Sequence, residues 1–107
     1  GGDRDKDKRS QMANIAEKYC DKIFITSDNP RSESLETITL DIVKGFNLDK
    51  HRVIKDRELA IKCAIDEMSE RSILLVLGKG RENYQIINND KIFFSDADTI
   101  KSYMYAN

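Results

Sequence analysis

Apolar positions along this chain recur with two alternating periods. Met12, Ile15, Ala16 and Tyr19 fall on the i, i+3, i+4, i+7 spacing, which predicts an amphipathic helix over residues 10–20 with those side chains inward. Ile23-Phe24-Ile25 is a short apolar run and predicts a buried strand over 22–26. Residues 27–34 read as a loop, because Pro30 cannot sit in a central strand and pushes Asn29 out of helical geometry. Leu35, Ile38, Ile42 and Phe46 mark a second helix, with Ser32 or Ser34 as N-cap and Gly45 as its stop. A short strand follows over 52–55. A third helix is then capped by Asp56 and buries Ile61, Ala64, Ile65 and Met68. Ile73-Leu74-Leu75-Val76-Leu77 is the strongest strand signal in the sequence. Beyond Gly78, residues 84–87 and 91–94 predict two strands joined at Asn88-Asn89-Asp90. Asp96 or Asp98 caps a last helix carrying Ile100, Tyr103 and Met104.

Strands alternating with helices imply crossover units and a mostly parallel sheet, an α/β class fold. Ligands bind such sheets outside the carboxyl ends of the strands. Two loops leave predicted strand ends of that kind, one at Asp28 and one at Gly78. The segment at residues 1–9 opens straight into a helix, so it is expected to follow a strand outside the chain, which then reads as a piece of a longer protein.

At 107 residues the chain holds one domain. Its 18 basic and 19 acidic residues give a net charge of −1, which argues against a general nucleic-acid binder. No apolar stretch is long enough to span a bilayer, and no signal-peptide pattern opens the chain. Cys20 and Cys63 lack metal-type spacing and read as reduced, core-facing thiols of a cytoplasmic protein. His51, the one histidine, reads as a solvated turn residue.

Three segments mix permissive backbone with fixed charge. In Asp28-Asn29-Pro30-Arg31, the Arg31 guanidinium offers a planar fork that fits a carboxylate, Asn29 can donate to the same group, and Asp28 can accept from an ammonium. The same tetrapeptide is also compatible with a plain turn closed by a local ion pair. In Gly78-Lys79-Gly80, the glycines allow positive φ and close approach, Lys79 supplies positive charge, and Glu82 could take an ammonium. Its spacing is not that of a P-loop. Gly1-Gly2-Asp3-Arg4-Asp5-Lys6 leads to a helix N-terminus, where backbone N–H groups favour anions, and Arg4 is suited to a carboxylate or phosphate.

Together the three segments resemble the carboxyl-terminal domain of the Mur ligases, in the branch that adds the third peptide residue to the cell-wall precursor. The Gly-Gly-Asp-Arg-Asp-Lys start stands at residues 1–6, Asp-Asn-Pro-Arg at 28–31, and Gly-Lys-Gly-x-Glu-x-Tyr-Gln at 78–85. Ser95-Asp96 is also family-like. Asp7 replaces a usual glycine, Arg81 stands where histidine is common, and Asn83 where an acidic residue or threonine is common.

The resemblance implies a Rossmann-like three-layer sandwich: a mostly parallel sheet with a carboxyl-terminal hairpin, flanked by helices. It makes residues 1–107 the amino-acid-binding domain of a three-domain enzyme. It also implies a preference for meso-diaminopimelate over lysine. Arg4, Asn29 and Arg31 would hold the carboxylate at the far end of diaminopimelate, while Asp28, the Gly78 backbone and Glu82 would hold the ammonium there. Pro30 would stiffen the loop. Gly2, Asp3 and Lys6 would contact the phosphates of ATP.

The implied reaction is ATP-dependent amide-bond formation through an acyl phosphate. ATP, Mg2+ and the UDP-linked dipeptide would be held mainly by other domains, with no catalytic or metal-binding residue in this chain. The residues alone leave two alternatives. One is a generic Rossmann-like or flavodoxin-like nucleotide or phosphate module centred on Gly78-Lys79-Gly80. The other is a response-regulator-like domain with Asp28 as phosphoacceptor, which Pro30-Arg31 fits poorly.

Overall fold

A computed structural model of the chain describes residues 6–29 and 32–105. The elements run α1 (Asp7–Tyr19), β1 (Ile23–Ile25), α2 (Leu35–Val43), β2 (His51–Val53), α3 (Arg57–Asp66), β3 (Tyr84–Ile87), β4 (Asp90–Phe93) and α4 (Asp96–Tyr105). This is an α/β fold. β1 and β2 pair in parallel with Ile23 opposite His51 and Ile25 opposite Val53. α2 makes the crossover between them, as parallel strands require. β3 and β4 pair antiparallel, Tyr84 opposite Phe93. Their connection carries Asn88 and Asn89 at φ 50° and 69°. Two successive left-handed residues match the twist of a tight hairpin, and asparagine tolerates that conformation.

Side-chain caps start α2, α3 and α4. Ser34 Oγ accepts from the Thr37 N–H, and Asp56 Oδ1 accepts from the Leu59 N–H. At α4 the cap is Ser95, whose Oγ accepts from the Asp98 N–H, and not Asp96 or Asp98. Asp96 is instead drawn inward to a buried arginine. α3 ends at Asp66, so Met68 lies beyond the helix and is exposed; the buried positions are Arg57, Ala60, Ile61 and Ala64.

The inward face of α1 is not the apolar one. Met12, Ile15 and Tyr19 face outward, Tyr19 at 75% exposure, while Arg9, Ala13 and Glu17 are buried against α2 and its flanking loops. The reason is electrostatic and steric. The Arg9 guanidinium meets both Glu33 oxygens at 2.8 and 3.0 Å and Asp41 at 2.8 Å. These carboxylates hold Arg9 above its ordinary pKa, and Arg9 in turn holds the Asp41 carboxyl below its own. At the other end, the N–H groups of Asn47 and Leu48 donate to Glu17 at 2.8–3.1 Å. Between them the helices touch. A Cβ on Gly45 would lie 2.0 Å from the Ser10 carbonyl oxygen and 2.9 Å from the Ala13 Cβ.

Residues 72–77 join no ladder among the described residues. Exposure alternates: Ile73 (88%), Leu75 and Leu77 face out, while Leu74 and Val76 are half-buried. An apolar run supplies the side-chain pattern of a strand, but only a neighbouring backbone makes it one. His51 lies in β2, half-buried, its ring stacked on Phe46 at 4.4 Å, rather than in a solvated turn. Cys20 and Cys63 are free and half-buried. Among the described residues, no helix is long and apolar enough to cross a membrane.

Two outcomes follow from the α1–α2 contact. Gly45→Ala has no room for its methyl group and should lower stability by about 1–3 kcal/mol, read from the denaturant midpoint. Glu17 gives a pH signature. Burial pushes its carboxyl pKa up, but the Asn47 and Leu48 donors, with Lys50 and His51 nearby, outweigh burial and hold it below the ordinary glutamate value. With the folded pKa depressed, this stabilisation is complete above the ordinary value and is lost as pH falls through the folded one. Glu17→Gln should therefore flatten the loss of stability on acidification below about pH 4, as followed by thermal melts; an unchanged slope would remove Glu17 from that role.

Candidate functional site

Two loops build the site, and buried side chains set their spacing. After β1 the chain passes through Thr26 and Ser27 to Asp28 and Asn29. After residues 72–77 it turns at Gly78, whose φ is 108°. The loops touch there: a Cβ on Gly78 would lie 3.2 Å from Asp28 Oδ2. At their roots, Arg57 donates to the Ser27 carbonyl at 2.9 Å and to the Leu77 carbonyl at 3.0 Å. The same guanidinium forms a two-pronged pair with Asp96, at 2.7 Å on each oxygen. Both partners are buried, Arg57 at 4% exposure.

Further out, Lys79 crosses between the loops. Its side chain is 0% exposed, with Nζ 3.3 Å from Asp28 Oδ1. It donates to Asn29 Oδ1 at 3.3 Å and to the Tyr84 carbonyl. The Asp28 contact is an ion pair without hydrogen-bond alignment, so the buried Oδ1 is neutralised but meets no aligned donor. Ile86 N–H donates to Asn29 Oδ1 at 2.9 Å. Gln85 Nε2 donates to Ser27 Oγ at 3.1 Å and to the Asp28 carbonyl at 2.9 Å. The expectation that Lys79 offers its charge to a ligand is therefore corrected: that charge is spent inside the protein.

Asp28, Asn29 and Gly78 are brought together. Glu82 follows on the Gly78 loop, which its N–H closes by donating to the Lys79 carbonyl at 3.0 Å. Tyr84 Oη donates to Glu82 Oε2 at 3.0 Å and fixes its direction. Lys6 is exposed at the start of α1, with Nζ 4.0 Å from Glu33 Oε2. Gly2, Asp3, Arg4, Pro30 and Arg31 lie outside the described residues.

Among the described residues, no cluster of three metal-type ligands gathers. Two open grooves of about 540 and 550 Å3 flank Gln85, but neither is lined by Asp28, Gly78 or Glu82. The loop after β1 thus carries a carboxylate and an amide, Asp28 and Asn29, and the Gly78 loop a second carboxylate, Glu82. The sequence reading missed Arg57, Gln85 and the inward role of Asp96. An arginine directly after the cap of α3 is the one local hint of Arg57, and no periodicity exposes its partners.

Gly78 and Gly80 provide a matched test. Both have positive φ, but a Cβ at Gly80 meets nothing within 4 Å. Gly80→Ala should cost about 1–2 kcal/mol from backbone strain and leave Asp28 in place. Gly78→Ala adds the clash, should cost about 1–3 kcal/mol, and should shift the Asp28 and Asn29 amide resonances. Equal spectra for the two variants would separate Gly78 from Asp28.

Comparison with known proteins gives one consistent result. Residues 1–80 match the family model described as Mur ligase, glutamate ligase domain. The chain is 49% identical over 104 residues to the UDP-N-acetylmuramoyl-L-alanyl-D-glutamate–2,6-diaminopimelate ligase of Helicobacter pylori (strain J99 / ATCC 700824), covering 96% of this chain and 23% of that protein. It is 46% identical over 105 residues to the protein of that name from Haemophilus influenzae (strain ATCC 51907 / DSM 11121 / KW20 / Rd), covering 97% and 22%. A solved structure of a ligase of the same name superimposes with a TM-score of 0.94 at 37% identity, covering 99% of this chain and 22% of that one. The chain thus spans less than a quarter of the length of these curated relatives. It belongs to the Mur ligase, glutamate ligase domain family.

Proposed function

We propose that residues 1–107 form the amino-acid-binding domain of an ATP-dependent ligase. That enzyme adds meso-diaminopimelate to UDP-N-acetylmuramoyl-L-alanyl-D-glutamate in cytoplasmic peptidoglycan synthesis. The observation that carries this reading is the joining of the Asp28-Asn29 loop to the Gly78–Glu82 loop through buried Lys79. The Asp28 carboxylate and the Asn29 amide both border Lys79, which supports reading them as an ammonium acceptor and a carboxylate donor, the charge pattern of an amino-acid end. The names of the 49% and 46% identical relatives support the same substrate.

In this reading Arg4, Asn29 and Arg31 hold the distal carboxylate of diaminopimelate. Asp28, the Gly78 backbone and Glu82 hold its distal ammonium. Pro30 limits the loop's freedom. Gly2, Asp3 and Lys6 contact phosphate. The sheet is a Rossmann-like layer between helices. ATP, with Mg2+, supplies the phosphoryl group that activates the acceptor carboxylate, and other domains hold both. This chain's task is orientation. It fixes the far end of diaminopimelate so that the reacting amine is presented at one position, a gain in effective concentration rather than acid–base chemistry. Burial of Lys79 argues against a nucleotide module centred on Gly78-Lys79-Gly80, since such a module needs that cation outside.

Lysine carries the ammonium but no distal carboxylate, so it would leave Arg31 without its partner. In the gene product that carries this chain, Arg31→Ala should raise KM for diaminopimelate about 10- to 150-fold, the range for lost hydrogen bonds to a charged group. KM for ATP should stay unchanged, and the 107-residue chain alone should form no product. Steady-state kinetics with diaminopimelate, lysine and ATP varied in turn checks this. A wild-type enzyme that uses lysine equally well would sink the proposed selectivity.

A further inference from the structure

Lys79 does more than join two loops, because its position decides which way two neighbouring side chains face. Asn29 Oδ1 meets two donors, Lys79 Nζ at 3.3 Å and the Ile86 N–H at 2.9 Å. Two donors can be met only by the oxygen of the amide, so the Nδ2 end is turned the other way. Asp28 is divided similarly. Its Oδ1 is buried against Lys79 Nζ, while Oδ2 lies over Gly78, on the side where the residue is partly exposed.

We infer that Lys79 is a positioning residue that sets the polarity of the amino-acid site: it turns the donor end of Asn29 and the outer oxygen of Asp28 toward the ligand. The inference rests on the reading proposed above. A compact ammonium with three donors suits three acceptors disposed around it, which a planar guanidinium does not. Charge supports the same division of labour. Lys79 compensates Asp28, whereas Glu82 receives, among the described residues, only the hydrogen bond of the neutral Tyr84 hydroxyl. Glu82 is thus the carboxylate left to balance a ligand ammonium, with Asp28 supplying direction.

The test uses the gene product that carries this chain, with diaminopimelate, ATP and the UDP-linked dipeptide varied in turn. Lys79→Met should raise KM for diaminopimelate at least about tenfold and leave kcat and the other two KM values within about twofold. Lys79→Arg should fail to restore it. Lys79→Met strands a buried carboxylate, so Asp28→Asn and the double variant Asp28→Asn/Lys79→Met supply a charge-balanced comparison. The double variant should show a KM for diaminopimelate at least about threefold above Asp28→Asn alone, because Asn29 has lost a donor that orients it. Equal KM values in that pair, or an equal rise in all three KM values with a fall in kcat, would reduce Lys79 to a stability role and overturn the inference. A wild-type enzyme with no diaminopimelate-dependent product would instead remove the reading on which it rests.

Discussion

The site depends on one buried guanidinium. Ser27 and Leu77 are fifty positions apart in sequence, and no strand ladder among the described residues joins their segments. Arg57 holds both carbonyls at about hydrogen-bond distance, and Asp96 holds Arg57. A side chain thus does the work that backbone pairing does elsewhere in a sheet. It also ties the start of α3 to the start of α4, so both helices register on the loop roots. Removing one member of such a pair leaves a buried charge uncompensated, which typically costs about 3–5 kcal/mol, whereas replacing both by apolar groups often costs nothing. Its value here therefore lies in direction more than in net stability.

The same logic recurs twice. Arg9 with Glu33 and Asp41 fixes α1 against α2, and Lys79 with Asp28 and Asn29 fixes the outer loops. The buried apolar side chains among the described residues are few and small: Ala13, Ile25, Ile38, Ala60, Ile61 and Ala64. Apolar packing is non-directional, and alanines in particular specify little about angle. Buried ions with counted hydrogen bonds specify a great deal, because a wrong orientation leaves a charge without its partner. Each of the three cations meets acceptors from at least two different segments, and each therefore defines a distance that the apolar core cannot.

This explains what the sequence made legible. The order of helices and of most strands followed from periodicity, since a 3.6 or 2.0 repeat is a local property. Caps at Ser34 and Asp56 were equally local. The face of α1 was not legible, because Arg9 and Glu17 find partners 24–32 residues away and those partners outweigh the apolar stripe of Met12, Ile15 and Tyr19. The ladder expected at residues 72–77 failed for a related reason: hydrophobic pattern describes one strand, and pairing takes two. At the candidate site, motif and residue chemistry singled out Asp28, Asn29, Gly78 and Glu82, and the structure brings the first three together. Arg57 was not, because its four hydrogen bonds reach three separate segments.

Lys79 shows why a Gly-Lys-Gly tripeptide misleads. Between two glycines a lysine reads as an exposed cation, since the flanks suggest a mobile loop and burying an ammonium is costly. The dihedral angles give the opposite answer. Gly78 at φ 108° and Gly80 at φ 56° bracket the lysine with two backbone conformations that other residues rarely adopt. Together they fold the loop back so that the Lys79 side chain points into the protein, where Asp28, Asn29 and the Tyr84 carbonyl replace its water. The glycines are thus needed for different reasons. Gly78 combines its conformation with contact to Asp28, where a methyl group would intrude, whereas Gly80 faces open space and is held to glycine by conformation alone. The tripeptide is a device for turning a cation inward.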